Sequence, residues 1–201
     1  MTGHDHDIVV IGASTGGIEA LSRLIKDLPE NLAASVFIVQ HISPLSPGFL
    51  TSILSKAGKI KVVEAVNNAK IEKGCVYVAP PDNHLLLKKD NIKLIHGPKE
   101  NRVRPAIDPL FRSAAVYYGP RVIGVILTGA LNDGTAGLLA VKECGGITVV
   151  QEPSDSVCES MPQSAIDNVD VDHILPISEM GNLISWLVKE PEKNLLQERS
   201  D

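Results

Sequence analysis

Hydrophobic positions in this chain follow two alternating spacings. Residues 7–11 (DIVVI) form a β-branched, almost unbroken apolar run of the kind found in strands buried on both faces. The run breaks at Gly12-Ala13-Ser14-Thr15-Gly16-Gly17. Ile18, Leu21, Leu24, Ile25 and Leu28 then recur at helical spacing until Pro29. A second apolar run over 35–39 ends at Gln40-His41. Strand, helix, strand is the rhythm of a doubly wound sheet.

The rhythm continues. A helix is expected around 47–56, a short strand over 60–63, and another strand over 75–79, closed by Pro80-Pro81. Two apolar segments, 84–87 and 92–95, flank Lys88-Lys89-Asp90-Asn91, which predicts a hairpin with a solvated turn. Residues 109–118 read as a helix. Residues 121–127 (RVIGVIL) read as a central strand that runs into the polar segment 128–134, followed by a helix to about Cys144. Strands are expected over 147–150 and 173–176, and a last amphipathic helix over 179–188. The pair Met161-Pro162 is expected to shape a loop. The sum is an α/β fold: a doubly wound, mostly parallel sheet flanked by helices, with a β-hairpin insertion. No repeat or linker divides the chain, so one domain is expected over 1–201, with 1–6 and 190–201 as flexible tails. His4-Asp5-His6-Asp7 reads as exposed tail rather than as a metal site.

Composition narrows the function. With 201 residues and 44% hydrophobic content, the chain can bury a sizeable core. A net charge of -5 gives no basic excess, which argues against a duplex-binding protein. Cys75, Cys144 and Cys158 form no CxxC pair and no metal-ligand cluster, and the odd count fits a reducing compartment. No apolar run nears the ~20 residues of a membrane helix, and the first residues lack a signal-type pattern. A soluble, cytoplasmic protein is expected.

Three strand ends carry reactive polar groups: Ser14, His41 and Asp133. In open α/β sheets, sites form at the carboxyl ends of the strands. A serine hydroxyl needs a base to take its proton, and the base needs a carboxylate to fix its tautomer. Gly12-Ala13-Ser14-Thr15-Gly16 also matches G-x-S-x-G, the tight turn that exposes a nucleophile. Taken singly, each residue has a plainer reading: Ser14 as a helix N-cap, His41 as a hydrogen-bonded histidine, Asp133 as a turn residue. The shared sheet edge is what joins them. A dinucleotide-binding oxidoreductase competes for the glycine-rich turn. However, Ser14 stands where the second glycine of G-x-G-x-x-G belongs, and the second strand ends in Gln40-His41 instead of an acidic residue.

Longer segments bear a family resemblance. IGASTGGIEAL (11–21), QH (40–41), VYVAPPDNH (76–84), RPAIDPLFRSAA (104–115), GVILTGALNDGTAGL (124–138) and QEPSDSVCESMPQSA (151–165) together resemble the catalytic domain of CheB-type protein-glutamate methylesterases. The resemblance implies Ser14 as nucleophile, His41 as general base and Asp133 as orienting carboxylate, with Thr15 and Ala130 lining the site. It implies hydrolysis of glutamate γ-methyl esters on chemoreceptor-type proteins, with deamidation of receptor glutamines as a further activity and no metal or cofactor. His84, Arg104 and Met161 lie in matching segments and are candidates for the substrate groove. Two departures stand out. Ala130-Leu131 replaces the usual Met-Gly, and the first strand starts too early for a preceding receiver domain. Activity not gated by phosphorylation in cis is therefore expected. The alternatives are a non-catalytic receptor- or partner-binding module of the same fold, and a general esterase, for which an HGGG-type motif and an apolar lid are missing.

Overall fold

The structure is a computed structural model that describes residues 6–45 and 48–189. The first apolar run forms β1 (Ile8–Ala13), buried along its whole length. β2 (Ser35–Gln40), β4 (Cys75–Val78), β7 (Val122–Ile126) and β8 (Ile147–Gln151) are buried in the same way. Within this sheet only the short edge strands, β3 (Lys61–Glu64) and β9 (His173–Leu175), reach solvent. The order is β3-β4-β2-β1-β7-β8-β9, and every neighbouring pair is parallel.

Alternate residues of each strand feed two cores. Val9, Ile11, Val36 and Val125 face α1 (Gly17–Asp27), α2 (Phe49–Ala57) and α6 (Ile177–Lys189). Ile8, Val10, Phe37 and Ile126 face α3 (Ile107–Tyr118), α4 (Thr135–Glu143) and α5 (Ser160–Asn168). Both faces must be covered, which is why the strands read as continuous apolar runs and not as alternating ones. The hairpin of β5 (His84–Lys88) and β6 (Asn91–Ile95) is a separate antiparallel pair. Leu85, Leu87 and Ile92 are buried in the α3-side core. Tyr118 Oη receives the Asp90 N–H and donates to Lys88 O, so the solvated turn is tied to the end of α3.

Two expectations need correction. Met161-Pro162 lies in the first turn of α5, not in a loop. Proline is tolerated there because first-turn N–H groups have no partner within the helix, and the short apolar stripe of Met161 and Ala165 hides among polar residues. His6 and Asp7 are not exposed tail either. Both are buried, because β1 is a central strand and the chain enters it from within the fold. His6 Nδ1 bonds Pro120 O, and Asp7 takes two hydrogen bonds from Arg121 and pairs with Lys73. The remaining tail residues, 1–5 and 190–201, and the expected helix start at Pro47 lie outside the described residues.

The chain leaves β1 toward β2 on one side and later returns to β7 on the other. That reversal opens a crevice at the carboxyl ends of the three strands.

Candidate active site

Ser14 and His41 follow the paired last residues of β1 and β2, Ala13 and Gln40, so the sheet register sets them side by side. The ladder runs on past the strands: the Ser14 N–H donates to Thr128 O (3.0 Å) and the His41 N–H to Ala13 O (3.0 Å). Gly17 N–H closes the turn onto Ser14 O at 2.9 Å. Two glycines are needed here. Gly16 is left-handed (φ +79°), and a Cβ on Gly17 would stand 2.1 Å from Gln40 Oε1. The Gln40 amide donates at once to Ser14 O (2.8 Å) and His41 O (3.0 Å). Its Oε1 is buried with no hydrogen-bond partner among the described residues.

The side chains form a relay. Ser14 Oγ lies 3.1 Å from His41 Nδ1, and His41 Nε2 lies 2.7 Å from Asp133 Oδ2. The His41 side chain is 15% exposed and that of Asp133 only 3%. An ionised carboxylate only accepts, so the proton sits on Nε2 and the Nδ1 lone pair faces the hydroxyl. This is the arrangement in which an imidazole can take a proton from serine and return it to a leaving group.

Asp133 comes from the loop between β7 and α4 and stands at the N-terminus of α3. Oδ2 also receives the Ile107 N–H (2.7 Å), and Oδ1 receives the Asp108 N–H (3.2 Å) and Asn101 Nδ2 (2.6 Å). Asp108 returns the favour to α4: its Oδ1 accepts from Gly134 N–H (3.1 Å) and Gly137 N–H (2.7 Å). Each acid thus satisfies the orphan donors of the other's helix. Burial pushes the Asp133 carboxyl up, but the hydrogen bonds from His41 and the Ile107 N–H outweigh it and hold the group below the usual carboxylate range. Asp108 lies on the other side. Burial raises it above that range against the opposing Gly137 N–H, and the neighbouring Asp133 charge adds to the rise.

A cavity of about 470 Å³ opens over this relay, walled by Ser14, His41, Asn101, Arg102, Ala130 and Leu131 among others. Ala130 is thus part of the cavity wall. Thr15 is exposed beside Ser14. The N–H groups of Thr15 and Ala130 form no hydrogen bond among the described residues, whereas that of Ser14 is engaged. The three groove candidates lie elsewhere. His84 is buried, bonding Pro98 O (2.8 Å) and the Ala106 N–H (3.2 Å). Arg104 grips Asp82 Oδ1 (2.9 and 2.6 Å) and Gly97 O. Both brace the loop that carries Asn101 and Arg102 to the cavity. Met161 is fully buried behind Gly129, where a Cβ would strike both it and Ser14. No group of three or more His, Cys, Asp or Glu is placed to hold a metal among the described residues.

Sequence reasoning missed Gln40, Asn101, Arg102 and Asp108 as contributors. Asp108 had a readable signal, an acid in the first turn of a helix. The other three act through tertiary geometry that no local pattern reports.

Known proteins match along nearly the whole chain. The family model described as CheB methylesterase matches residues 9–184. A protein from Leptospira interrogans, whose name gives protein-glutamate methylesterase/protein-glutamine glutaminase provisionally, is 41% identical over 196 residues, covering 97% of this chain and 100% of its own length. A protein-glutamate methylesterase/protein-glutamine glutaminase from Pyrococcus abyssi is 39% identical over 183 residues, 88% of this chain and 49% of the relative. The crystal structure of the Thermotoga maritima CheB methylesterase catalytic domain superposes with a TM-score of 0.87 at 37% identity, covering 90% of this chain and 98% of that one. With the fold, the relay and these matches in agreement, the chain belongs to the CheB methylesterase family.

Proposed function

We propose that this protein is a serine hydrolase that removes methyl groups from glutamate γ-methyl esters of methylated chemoreceptor-type proteins, with Ser14 as nucleophile, His41 as general base and Asp133 as orienting carboxylate. The observation that carries the reading is the continuous Ser14–His41–Asp133 relay at the floor of an open cavity.

Ser14 Oγ attacks the ester carbonyl carbon while His41 Nδ1 takes its proton. The oxyanion of the tetrahedral intermediate is held by the N–H groups of Thr15, next to Ser14, and of Ala130, which lines the same cavity; neither is engaged among the described residues. Collapse breaks the C–OCH3 bond, and the imidazolium gives its proton to the departing methoxide, releasing methanol and leaving an acyl ester on Ser14. Water, deprotonated by Nδ1, then attacks that ester and frees the glutamate carboxylate and the serine hydroxyl. Throughout, Asp133 stabilises the transient imidazolium without taking a proton. The same relay serves a glutamine side-chain amide with ammonia as leaving group, the second activity in the relatives' names.

The test uses a receptor signalling domain carrying radiolabelled methyl groups. Wild-type protein is expected to release labelled methanol, and Ser14→Ala to release it at least about 10,000-fold more slowly. Equal release by both proteins would remove Ser14 from the mechanism. No release by a folded wild type would favour a non-catalytic binding module. Ammonia release from an unmodified receptor, measured in parallel, decides the glutaminase activity.

A further inference from the structure

Among the described residues, Asp133 accepts from four N–H donors, and three are explained by what has been said. His41 is its relay partner, and the Ile107 and Asp108 N–H groups belong to the first turn of α3, where any capping acid would find them. The fourth, Asn101 Nδ2, comes from an exposed loop on the cavity wall. Its two hydrogens are divided between two buried acids: Asp133 Oδ1 at 2.6 Å and Asp108 Oδ2 at 2.8 Å.

The backbone is bent to bring it there. Asn101 and Arg102 are both left-handed (φ +50° and +67°), in a turn closed by the Val103 N–H on Glu100 O at 2.9 Å. Asparagine is the non-glycine side chain that best tolerates that region. The loop is staked at both ends, by Arg104 on Asp82 and by His84 on Pro98 O and the Ala106 N–H. A strained conformation held in place by its surroundings at a cavity wall is where a functional constraint is expected.

From this geometry we infer that Asn101 is a positioning residue for the reaction: its carboxamide fixes the Oδ1 edge of Asp133, leaving Oδ2 to His41, and separates that carboxylate from the one on Asp108. The inference rests on the Ser14–His41–Asp133 reading above. Without the amide, Asp133 keeps three donors but faces Asp108 directly, and its Oδ1 edge is left with the longest of them, the Asp108 N–H at 3.2 Å. The ionisable groups facing the pair are His41 at the end of β2 and Arg112 further along α3, the latter already paired with Glu100. Neither replaces a donor at Oδ1. Losing one N–H donor and gaining an unscreened neighbour both make Asp133 easier to protonate, so more alkaline conditions are needed to reach the active ionisation state.

The experiment compares wild type, Asn101→Ala, the isosteric Asn101→Asp and, at an exposed position of the same loop, Lys99→Gln. The last changes the same loop without touching Asp133. Two rates are followed against pH: methyl-ester turnover on the methylated receptor domain, and covalent labelling of Ser14 by a fluorophosphonate probe, which needs the relay but no receptor. Both Asn101 variants are expected to lose about 10- to 100-fold in kcat at neutral pH, with KM within about two-fold of wild type. The acid limb of both rates should move up by about half a pH unit or more, furthest for Asn101→Asp, which adds a third carboxylate. Lys99→Gln should match wild type. Circular dichroism at each pH gives the folded fraction. A loss of rate that only tracks unfolding, or an acid limb that stays in place in both variants, overturns the proposal. Should wild type label at Ser14 but release no methanol, the substrate reading fails while the labelling profiles still judge Asn101. Should Ser14 not label in wild type, the relay reading and the proposal fall together.

Discussion

The two ends of the relay are held in opposite ways. At the serine end the main chain does the holding. Ser14 N–H is on Thr128 O, its carbonyl takes Gly17 N–H and the Gln40 amide, and Oγ itself has one side-chain partner, His41. At the aspartate end the side chain is saturated: both carboxylate oxygens are doubly bonded by donors from α3, His41 and the Asn101 loop. The difference suits the roles proposed for the two groups. A nucleophile forms and breaks a covalent bond, so its backbone is fixed and its oxygen left free. An orienting carboxylate gains nothing by moving, and each added donor narrows its geometry and favours its ionised form.

Replacing Asp133 breaks this contrast most severely. Asp133→Asn places an N–H2 group among donors that already point inward. We expect kcat to fall on the order of 10,000-fold, and unfolding free energy to fall by about 1–3 kcal/mol because buried N–H groups lose their acceptor. Turnover and urea denaturation of the same preparations check both. Ser14→Ala should match it in lost activity and leave the urea midpoint unchanged or slightly raised. Equal destabilisation by the two substitutions would dissolve the comparison.

A smaller effect sharpens the serine end. Gly17→Ala drives a methyl into Gln40 Oε1 and displaces the amide that ties the Ser14 and His41 carbonyls together. About a ten-fold loss in kcat is expected, with about 1–3 kcal/mol of destabilisation from overpacking, read by the same two assays. A fully active, fully stable variant would show that the Gln40 clamp has no part in aligning the pair.

The smallest effect lies between the two ends. Leu131 is left-handed (φ +68°) and 69% exposed on the cavity rim. Leu131→Gly removes strain of about 1–2 kcal/mol against about 0.5–1 kcal/mol of added chain entropy. A gain of about 0.5 kcal/mol in urea unfolding is expected. A loss instead would mean that the exposed leucine packs against the chain in solution.

How much of this could be read from the sequence depended on how local each signal was. β1, β2 and β7 were legible because strands covered on both faces must be apolar at every position, and Ser14, His41 and Asp133 because they stand directly at the ends of such runs or in the loop behind one. The helix α5 was not, since its buried stripe is only Met161, Pro162 and Ala165, and a proline in the third position reads as a stop. His84 and Arg104 stand out in the sequence as groove candidates, but their hydrogen bonds brace a loop beside the cavity. A buried histidine between two loop backbones and an arginine gripping an aspartate look, in one dimension, the same as groups lining a groove. Asn101 left no trace at all, because its importance depends on two carboxylates 7 and 32 positions away.

The exchange of caps between Asp108 and Asp133 gives this site an uneven tolerance to drift. The Ser14 side chain has one hydrogen-bond partner, His41, so under the proposed mechanism a lineage released from selection for turnover can discard it in one step with little penalty to folding. Asp133 serves two masters: its loss undoes the start of α3 as well as the relay. A descendant kept for docking alone is therefore expected to shed its serine early and to carry the aspartate long after the hydrolase has gone. Read backwards, an intact aspartate in a relative says little about activity, and an intact serine says a great deal.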